Sequence, residues 1–540
     1  MNIKTTVEST ERGIPLESNK LEEIQDSHIA KYGYSNHRVK NGNTAGEETH
    51  RTNIRRQRDK ILYTGGFRRL QDKTQVISAT LSGDHRTRLT HTLEVEQIAT
   101  SVASALKLNT DLVSAIALGH DVGHTPFGHA AERKLNKLLR DNGKFHHPIQ
   151  SVRYLWEKYG DKIIPEIYEG ILLHDSDMFE IKKEDVEQQL KYLKRPSYTS
   201  VDIKEWVKYD KWLNNFPSTL EAQVVVWADK IAYITHDLED FHRNYAFVNL
   251  KKNNNKIEKE LIEILQNIVK TNIECLESFE TRDLIRNIIS DLIEQSAKNI
   301  ERYNLDYENI SNICKNRYED ENDKNVNEKK KYLNSLIINF SDNCRIAYYN
   351  LRKFLDDHYI FSPEVQKSDA KAEIIVEWLF NKLVDNYKIM PLNVRDEIEN
   401  EIVYEVENSN LFNCKANKDN KNNQEKIDCW NEIENNISTK KRDLESDLVE
   451  YIFSNQVEHK NIDKFIIEYC NFNIEIKTCC NTIFENSINK GSIIRDINEY
   501  KNIKDNVVSR KVAVYLATMS DSYAESMYRN LIGSRVDFVL

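Results

Sequence analysis

Glycine and proline are scarce in this 540-residue chain, with Gly 15 and Pro 8, together about 4 % against roughly 12 % in average usage. An all-β sandwich or barrel needs many tight turns, so the shortage argues for long helices joined by polar loops. Cysteine is absent from the first half. Cys275, Cys314, Cys344, Cys414, Cys429, Cys470, Cys479 and Cys480 include no C-x-x-C pair, which removes the usual zinc and redox motifs. A reduced, cytoplasmic setting without disulfides is expected. No apolar run reaches the ~20 residues of a membrane span, and residues 1–25 are polar and mixed in charge, unlike a signal peptide. No membrane partner is expected, and no repeat of 20–50 residues stands out.

Positive charge is also in deficit. Lys+Arg 76 against Asp+Glu 86 gives a net charge of −10, with pI near 5.9 and mean hydropathy −0.65. Such a balance gives no global attraction for nucleic acid. A local cluster (Arg51, Arg55, Arg56, Arg58) leaves single-stranded nucleic acid open as a partner. The length suggests three or four folding units at ~150 residues each. The composition divides the chain into a polar arm (1–54), a histidine-rich core (55–250), a helical region with Asn/Lys-rich loops (251–505) and a C-terminal helical segment (506–540), which is expected to pack back on the core. Lys251–Lys256, Glu319–Lys331 and Lys415–Asp428 read as exposed connectors. Between them, helical periodicity predicts segments at Glu258–Ile268, Leu284–Tyr303, Tyr332–His358 and Lys371–Tyr387, and again at Lys511–Leu531.

Ten of the 15 histidines fall between positions 85 and 242: His85, His91, His120, His124, His129, His146, His147, His174, His236 and His242. With Thr92–Leu106 as a helix, Val95, Ile98, Ala99, Val102 and Leu106 form one apolar arc, and His91 sits at its start. A second helix over Leu112–His120 puts His120 in the buried arc of Leu112, Val113, Ile116 and Ala117, with Asp121 following. A lone histidine on an apolar face is ordinarily a satisfied core residue. Two on adjacent helices, one joined to an aspartate, suit a transition-metal site that still needs an acidic ligand from elsewhere.

Ala222–Phe241 offers one. Trp227, Ile231, Ile234, Leu238 and Phe241 make an apolar stripe, and Asp229, Tyr233, His236, Asp237 and Asp240 occupy the opposite side. Periodicity leaves two readings of that side, a solvated acidic face or the wall of a metal- and substrate-binding cleft. Thr125-Pro126 predicts a helix start, with the helix running toward Gly143. His129 and Glu132 are then i, i+3 neighbours on it. A carboxylate beside an imidazole orients it for proton transfer, and a surface His–Glu pair is the plain alternative.

The His91, His120-Asp121 and Asp229 pattern resembles the HD phosphohydrolase superfamily. Four blocks in order resemble the deoxyguanosinetriphosphate triphosphohydrolase (dGTPase) family more closely: Phe67–Val76, Arg88–Val95, His120–Glu132 and Ala228–Asp240. Tyr515–Ala524 resembles that family's closing helix. The resemblance implies an all-α, mainly helical fold with an HD-domain core. It implies one divalent metal (Mn or Mg, with Fe, Ni, Co or Zn as alternatives) held by His91, His120, Asp121 and Asp229. It carries a catalytic dyad onto His129 and Glu132 and a further histidine onto His147, although Pro148 stands where the family has Asn. Substrate contacts map onto Arg88 and Lys230 for phosphate, and onto Gln75, Tyr233 and Asp237 for the deoxyribose.

The implied reaction converts a dNTP, dGTP by the family name, and water to a deoxynucleoside and tripolyphosphate, controlling deoxynucleotide pools. A dNTP activator and a homo-oligomer, usually a hexamer in the family, come with the resemblance. Two alternatives stay open: another HD-superfamily phosphohydrolase or phosphodiesterase, and a non-catalytic nucleotide- or single-strand-binding protein.

Overall fold

The computed structural model describes residues 16–39, 50–75, 86–140, 142–193, 201–213, 215–243, 255–276, 279–320, 327–409 and 490–532. The fold is all-α. Among the described residues there is no strand, only an isolated antiparallel bridge between Thr74 and Thr87. The chain divides into two compact units, Met1–Asp385 with Val512–Leu540, and Asn386–Lys511.

The centre of the first unit is the helix Thr110–Gly119. Asn109 caps it by accepting from the Leu112 amide at 3.1 Å. The sequence predicts one buried side, yet every residue from Asp111 to Gly119 is buried, because four helices surround it: Asn53–Leu62, Arg88–Ala105, Pro165–Leu172 and Leu220–Arg243. Each fully buried Leu, Ile or Val contributes about 1.5–3 kcal/mol, and Leu112, Val113 and Ile116 are wholly inaccessible. The helix therefore stands rigidly, and whatever follows Gly119 is held from below.

Arg88–Ala105 packs along it with Val95, Ile98, Ala99 and Val102 inward, as the periodicity predicts. It begins four residues earlier than the apolar pattern, at the Thr87 cap, so Arg88 and His91 share its first turn. The stripe of Leu220–Arg243 is buried from Trp227 to Phe241. Trp227 donates from its indole to the Ile338 carbonyl at 2.7 Å and stacks edge-on against Phe340. The opposite side is not a solvated face: His236 and Asp237 are buried, and Asp229, Tyr233 and Asp240 are half-buried.

Several boundaries differ from expectation. The helix predicted from Thr125 begins at Gly128 and ends at Leu139. The Thr125 hydroxyl donates to the Gly128 carbonyl at 2.9 Å, and Phe127 (φ 58°) and Gly128 (φ 62°) take the left-handed conformation. Tyr332–His358 is broken into Glu328–Ser335 and Asp342–Leu355. Asn339 interrupts it, its amide donating to the carbonyls of Leu333, Asn334 and Leu336, and Ser341 caps the second piece. Lys511–Leu531 is likewise two helices, Lys490–Ala517 and Asp521–Ile532. The connector Glu319–Lys331 is entered by helices at both ends.

Lys415–Asp428, His85 and five of the cysteines lie outside the described residues, and Cys314 and Cys344 are buried free thiols. Near the N-terminus, Tyr34 is 1 % exposed and its amide donates to Glu221 at 2.8 Å. Of the basic cluster, Arg51 and Arg58 both pair with Asp59. Among the described residues, no helix is long and apolar enough to cross a membrane.

The second unit contributes the helix Leu392–Asn408, with Ile398 and Ile402 buried, and most of Lys490–Ala517, with Val507 and Val508 buried.

Candidate metal and phosphate site

Three elements converge beyond the end of the central helix. His91 comes from the first turn of Arg88–Ala105, His120 from the residue after Gly119, and Asp229 from the middle of Leu220–Arg243. His91 Nε2 is 2.9 Å and His120 Nε2 is 3.8 Å from Asp229 Oδ1, and these donor atoms lie within 4.8 Å of one another. His120 Nδ1 donates to the Ala117 carbonyl at 2.6 Å. That fixes the tautomer with Nε2 as the free lone pair, the arrangement a metal-binding histidine adopts. Nε2 is buried and has no protein partner.

An orphaned imidazole nitrogen, a second imidazole and a carboxylate fit a divalent transition metal. Burial pushes the Asp229 carboxyl up, but its bond to His91 and the charges of His91, His120 and His174 hold it well below the usual range.

Asp121, the fourth predicted ligand, stands at the edge of this trio. Its Oδ2 accepts from Arg88 Nη1 at 2.6 Å and lies 3.6 Å from His120 Nε2, and its Oδ1 is 3.7 Å from His147 Nε2. Burial raises its carboxyl, and the Arg88 guanidinium with His120, His124 and His147 outweighs it, so the group stays ionised. Arg88 is 4 % exposed and its Nε has no partner.

On the other side of Asp121 lies a second cluster. Glu132 accepts from the His147 amide at 2.8 Å and lies 3.1 Å from His147 Nδ1 and 3.2 Å from His129 Nδ1. Burial would protonate it, but His147 and the bonds from both histidines keep its carboxyl well below normal. Burial alone would lower His147, and the Glu132 and Asp121 charges instead lift it to about 9. Glu132 is buried whereas the His129 side chain is 45 % exposed. The cluster thus has one reachable imidazole on a fixed carboxylate. Pro148 in the first turn of His147–Tyr159 starts the helix that presents His147.

Gly123 makes the join between the clusters possible. A Cβ there would lie 2.2 Å from the Ser151 amide nitrogen, and the Gly123 amide donates to Ser151 Oγ at 3.0 Å. The His120–His124 segment therefore rests directly on the backbone of the His147 helix.

The predicted substrate contacts border the trio. Gln75 is buried, its Nε2 3.1 Å from His91 Nδ1 and its Oε1 3.2 Å from His236 Nδ1. Lys230, half-buried, acts electrostatically on Asp175: burial raises the Asp175 carboxyl, while Lys230, His147 and His174 lower it below normal. The Tyr233 ring is covered by the Arg352 guanidinium, 4.6 Å from its centroid. Arg352 Nη1 also donates to Asp237 Oδ2 at 3.0 Å, leaving Oδ1 buried without a partner. Burial dominates there, and the carboxyl is pushed up to about 8 despite Arg352.

Sequence reasoning missed four residues of this neighbourhood. His174, packed 5.0 Å from the His120 ring, and Asp175 form a second His-Asp doublet, a signal that was there to be read. His124 stacks on His147 at 4.5 Å, its Nε2 buried and unpartnered. Arg352 lies 115 positions from Asp237, in a region whose Asn/Lys/Glu/Ile composition distinguishes no residue.

The HD domain family matches residues 88–234, and the phosphohydrolase-associated domain matches residues 338–404. Among curated relatives, a deoxyguanosinetriphosphate triphosphohydrolase-like protein of Rickettsia conorii is 32% identical over 377 residues, covering 66% of this chain and 85% of the relative. Those of Rickettsia bellii (32% identical, 65% of this chain and 84% of the relative) and Rickettsia canadensis (33%, 66% and 87%) are similar to the same degree.

Proposed function

The chain belongs to the deoxyguanosinetriphosphate triphosphohydrolase-like family of HD-domain phosphohydrolases, and from that premise we propose that it is a metal-dependent dNTP triphosphohydrolase. It would convert a dNTP, dGTP foremost, and water to the deoxynucleoside and tripolyphosphate. The observation that carries this reading is the position of Asp121. One carboxylate lies within 2.6 Å of Arg88, 3.6 Å of His120 and 3.7 Å of His147. The proposed phosphate-binding cation, metal-binding imidazole and acid–base cluster thus all border one carboxylate.

His91, His120 and Asp229 would hold the metal, with Asp121 beside them. A divalent cation in such a site supplies Lewis-acid polarisation of phosphoryl oxygen and acidification of water. The chain's own residues do the rest. Arg88 has an unpartnered Nε inside the site, and its planar fork suits two α-phosphate oxygens and the charge that builds on them in the transition state. Lys230 meets the more distal phosphates. His129, exposed and oriented by Glu132, manages the proton of the attacking water or of the leaving 5′-oxygen.

The buried Asp237 Oδ1 has no hydrogen-bond partner in the protein, and a 3′-hydroxyl, which can both donate and accept, would supply one. Tyr233, backed by Arg352, stands against C2′ and excludes a 2′-hydroxyl by bulk.

The test is a product assay. The purified protein is incubated with each dNTP and NTP in Mn²⁺ or Mg²⁺, and nucleosides, nucleotides and phosphates are resolved. Deoxynucleoside plus tripolyphosphate from dNTPs alone is expected. No turnover, even with mixed dNTPs present as activators, would overturn the proposal.

A further inference from the structure

The helix Asp521–Ile532 reaches the catalytic side of the first unit through its first residue. Asp521 is 7 % exposed. Its Oδ2 accepts from the Thr74 amide at 2.9 Å and from the Thr74 hydroxyl at 2.5 Å, and its Oδ1 accepts from the Phe127 amide at 2.8 Å. Beside it, the buried Lys73 ammonium donates to the Ala517 carbonyl at 2.9 Å and also to the His124 carbonyl, and Ser522 bonds Asp72. Two segments far apart in sequence, 72–74 and 124–127, are thereby tied to the same few residues at 517–522.

Each tied segment delivers site residues. Thr74 precedes Gln75 and pairs with Thr87 across the isolated bridge, where the Arg88 amide donates to the Lys73 carbonyl at 2.9 Å. Phe127 precedes the turn into the His129 helix and holds φ 58°, uncommon for a non-glycine residue. Gly128 then passes so close that a Cβ would lie 3.1 Å from the Gln75 carbonyl and 3.3 Å from Arg88 Nη2. Arg88, Gln75 and His129 therefore depend for their mutual placement on two backbone segments that one carboxylate bridges.

We propose that Asp521 is a positioning residue, which sets the register of the Gln75–Arg88 bridge against the start of the His129 helix. Its carboxylate hydrogen-bonds go to Thr74 and Phe127, residues outside the candidate metal ligands and substrate contacts. The functional meaning of that register rests on the phosphohydrolase reading above.

The experiment uses the full chain with Asp521→Asn, which keeps the shape but turns one acceptor into a donor facing a backbone N–H. Amide hydrogen exchange is compared with the parent across the whole protein, with Mn²⁺ titration calorimetry and dNTP kinetics alongside. The expected result is at least tenfold faster exchange at Thr74, Gln75 and Phe127–Glu132, with Thr110–Gly119 and Leu220–Arg243 unchanged and Mn²⁺ affinity within threefold of the parent. With dNTP turnover, kcat falls about 10²-fold, the scale of a 1 Å misplacement, and KM changes far less.

Uniformly faster exchange in all buried helices would reduce Asp521 to a stability residue, and unchanged local exchange would remove the bridge altogether. Either overturns the proposal. A parent protein that hydrolyses no dNTP would overturn the proposed function while leaving the exchange test intact. Should the Asn variant not fold, Thr74→Ala removes only the hydroxyl arm. Faster exchange at Gln75 with Phe127 still protected is then expected, and no change at Gln75 would overturn the proposal.

Discussion

Glu169 gives the fold a pH dependence that can be worked out from its surroundings. It lies in the helix Pro165–Leu172, 2 % exposed, accepting from the Ser218 amide at 3.1 Å and pairing with the Ser218 hydroxyl at 2.5 Å. Burial raises its carboxyl from 4.5 to about 7; the two Ser218 bonds oppose this, and the nearby Glu166 adds to it. Between pH 4.5 and 7 the folded chain therefore keeps a proton that the unfolded chain has released, so stability falls as pH rises through this window. At roughly 1.4 kcal/mol per pKa unit, the full loss is about 3 kcal/mol, complete above pH 7.

Glu169→Gln is nearly isosteric, still accepts from the Ser218 amide, and carries no proton to lose. Urea unfolding of the two proteins at half-unit steps from pH 4.5 to 8.5, with stability taken from the midpoints at a common m-value, should show the variant gaining on the parent by about 3 kcal/mol across the series. Ser218→Ala, which removes one opposing bond, should extend the parent's loss to higher pH. A parent–variant difference that stays flat with pH would refute the reasoning, because a carboxylate ionised in both states contributes no slope.

Other outcomes follow from the site. Asp121→Asn should weaken Mn²⁺ binding measured by calorimetry and reduce hydrolysis below detection, since the residue that joins His120, Arg88 and His147 loses its charge; full activity would remove it from the site. Glu132→Gln should cut kcat by about 10²–10⁴ while leaving metal content by elemental analysis at the parent level, and a parallel loss of metal would assign it a ligand's role instead. Gly123→Ala must push the His120–His124 segment off Ser151, a backbone contact that cannot yield cheaply. A loss of about 1–3 kcal/mol in thermal unfolding is expected, and an unchanged transition would show that the contact is looser than described.

The fold class was legible because its carriers are local. Apolar residues at 3- and 4-residue spacing mark the helices of the histidine-rich region, and few glycines or prolines interrupt them. Helix ends were less so. Nothing in the apolar pattern marks Asn339 as the residue that breaks Tyr332–His358, since it does so through three backbone carbonyls that meet only once the chain has folded. The start of the His129 helix was misjudged for a related reason: Thr125-Pro126 is a good local start signal, and a carboxylate 394 positions away overrides it through Phe127. In the site, His91 and His120 could be singled out because polar groups on apolar arcs are conspicuous, and Asp229 because it belongs to an acidic side facing away from a clean apolar stripe. Arg352 could not, because its partners Tyr233 and Asp237 belong to a helix more than a hundred positions earlier.

That separation between Phe127 and Asp521 also has a meaning in time. A ribosome adding about 5–20 residues per second takes roughly 20 to 80 s to travel the 394 positions between them. Once Asp229 has been added, all the histidines and aspartates of the candidate metal centre are in the emerging chain, while the amides of Thr74 and Phe127 still wait for their acceptor. Nascent and truncated chains thus carry the candidate metal ligands without the Asp521 contact to Thr74 and Phe127. If Asp521 positions the site as proposed, arrival of the helix Asp521–Ile532 is the step that brings the candidate site into register.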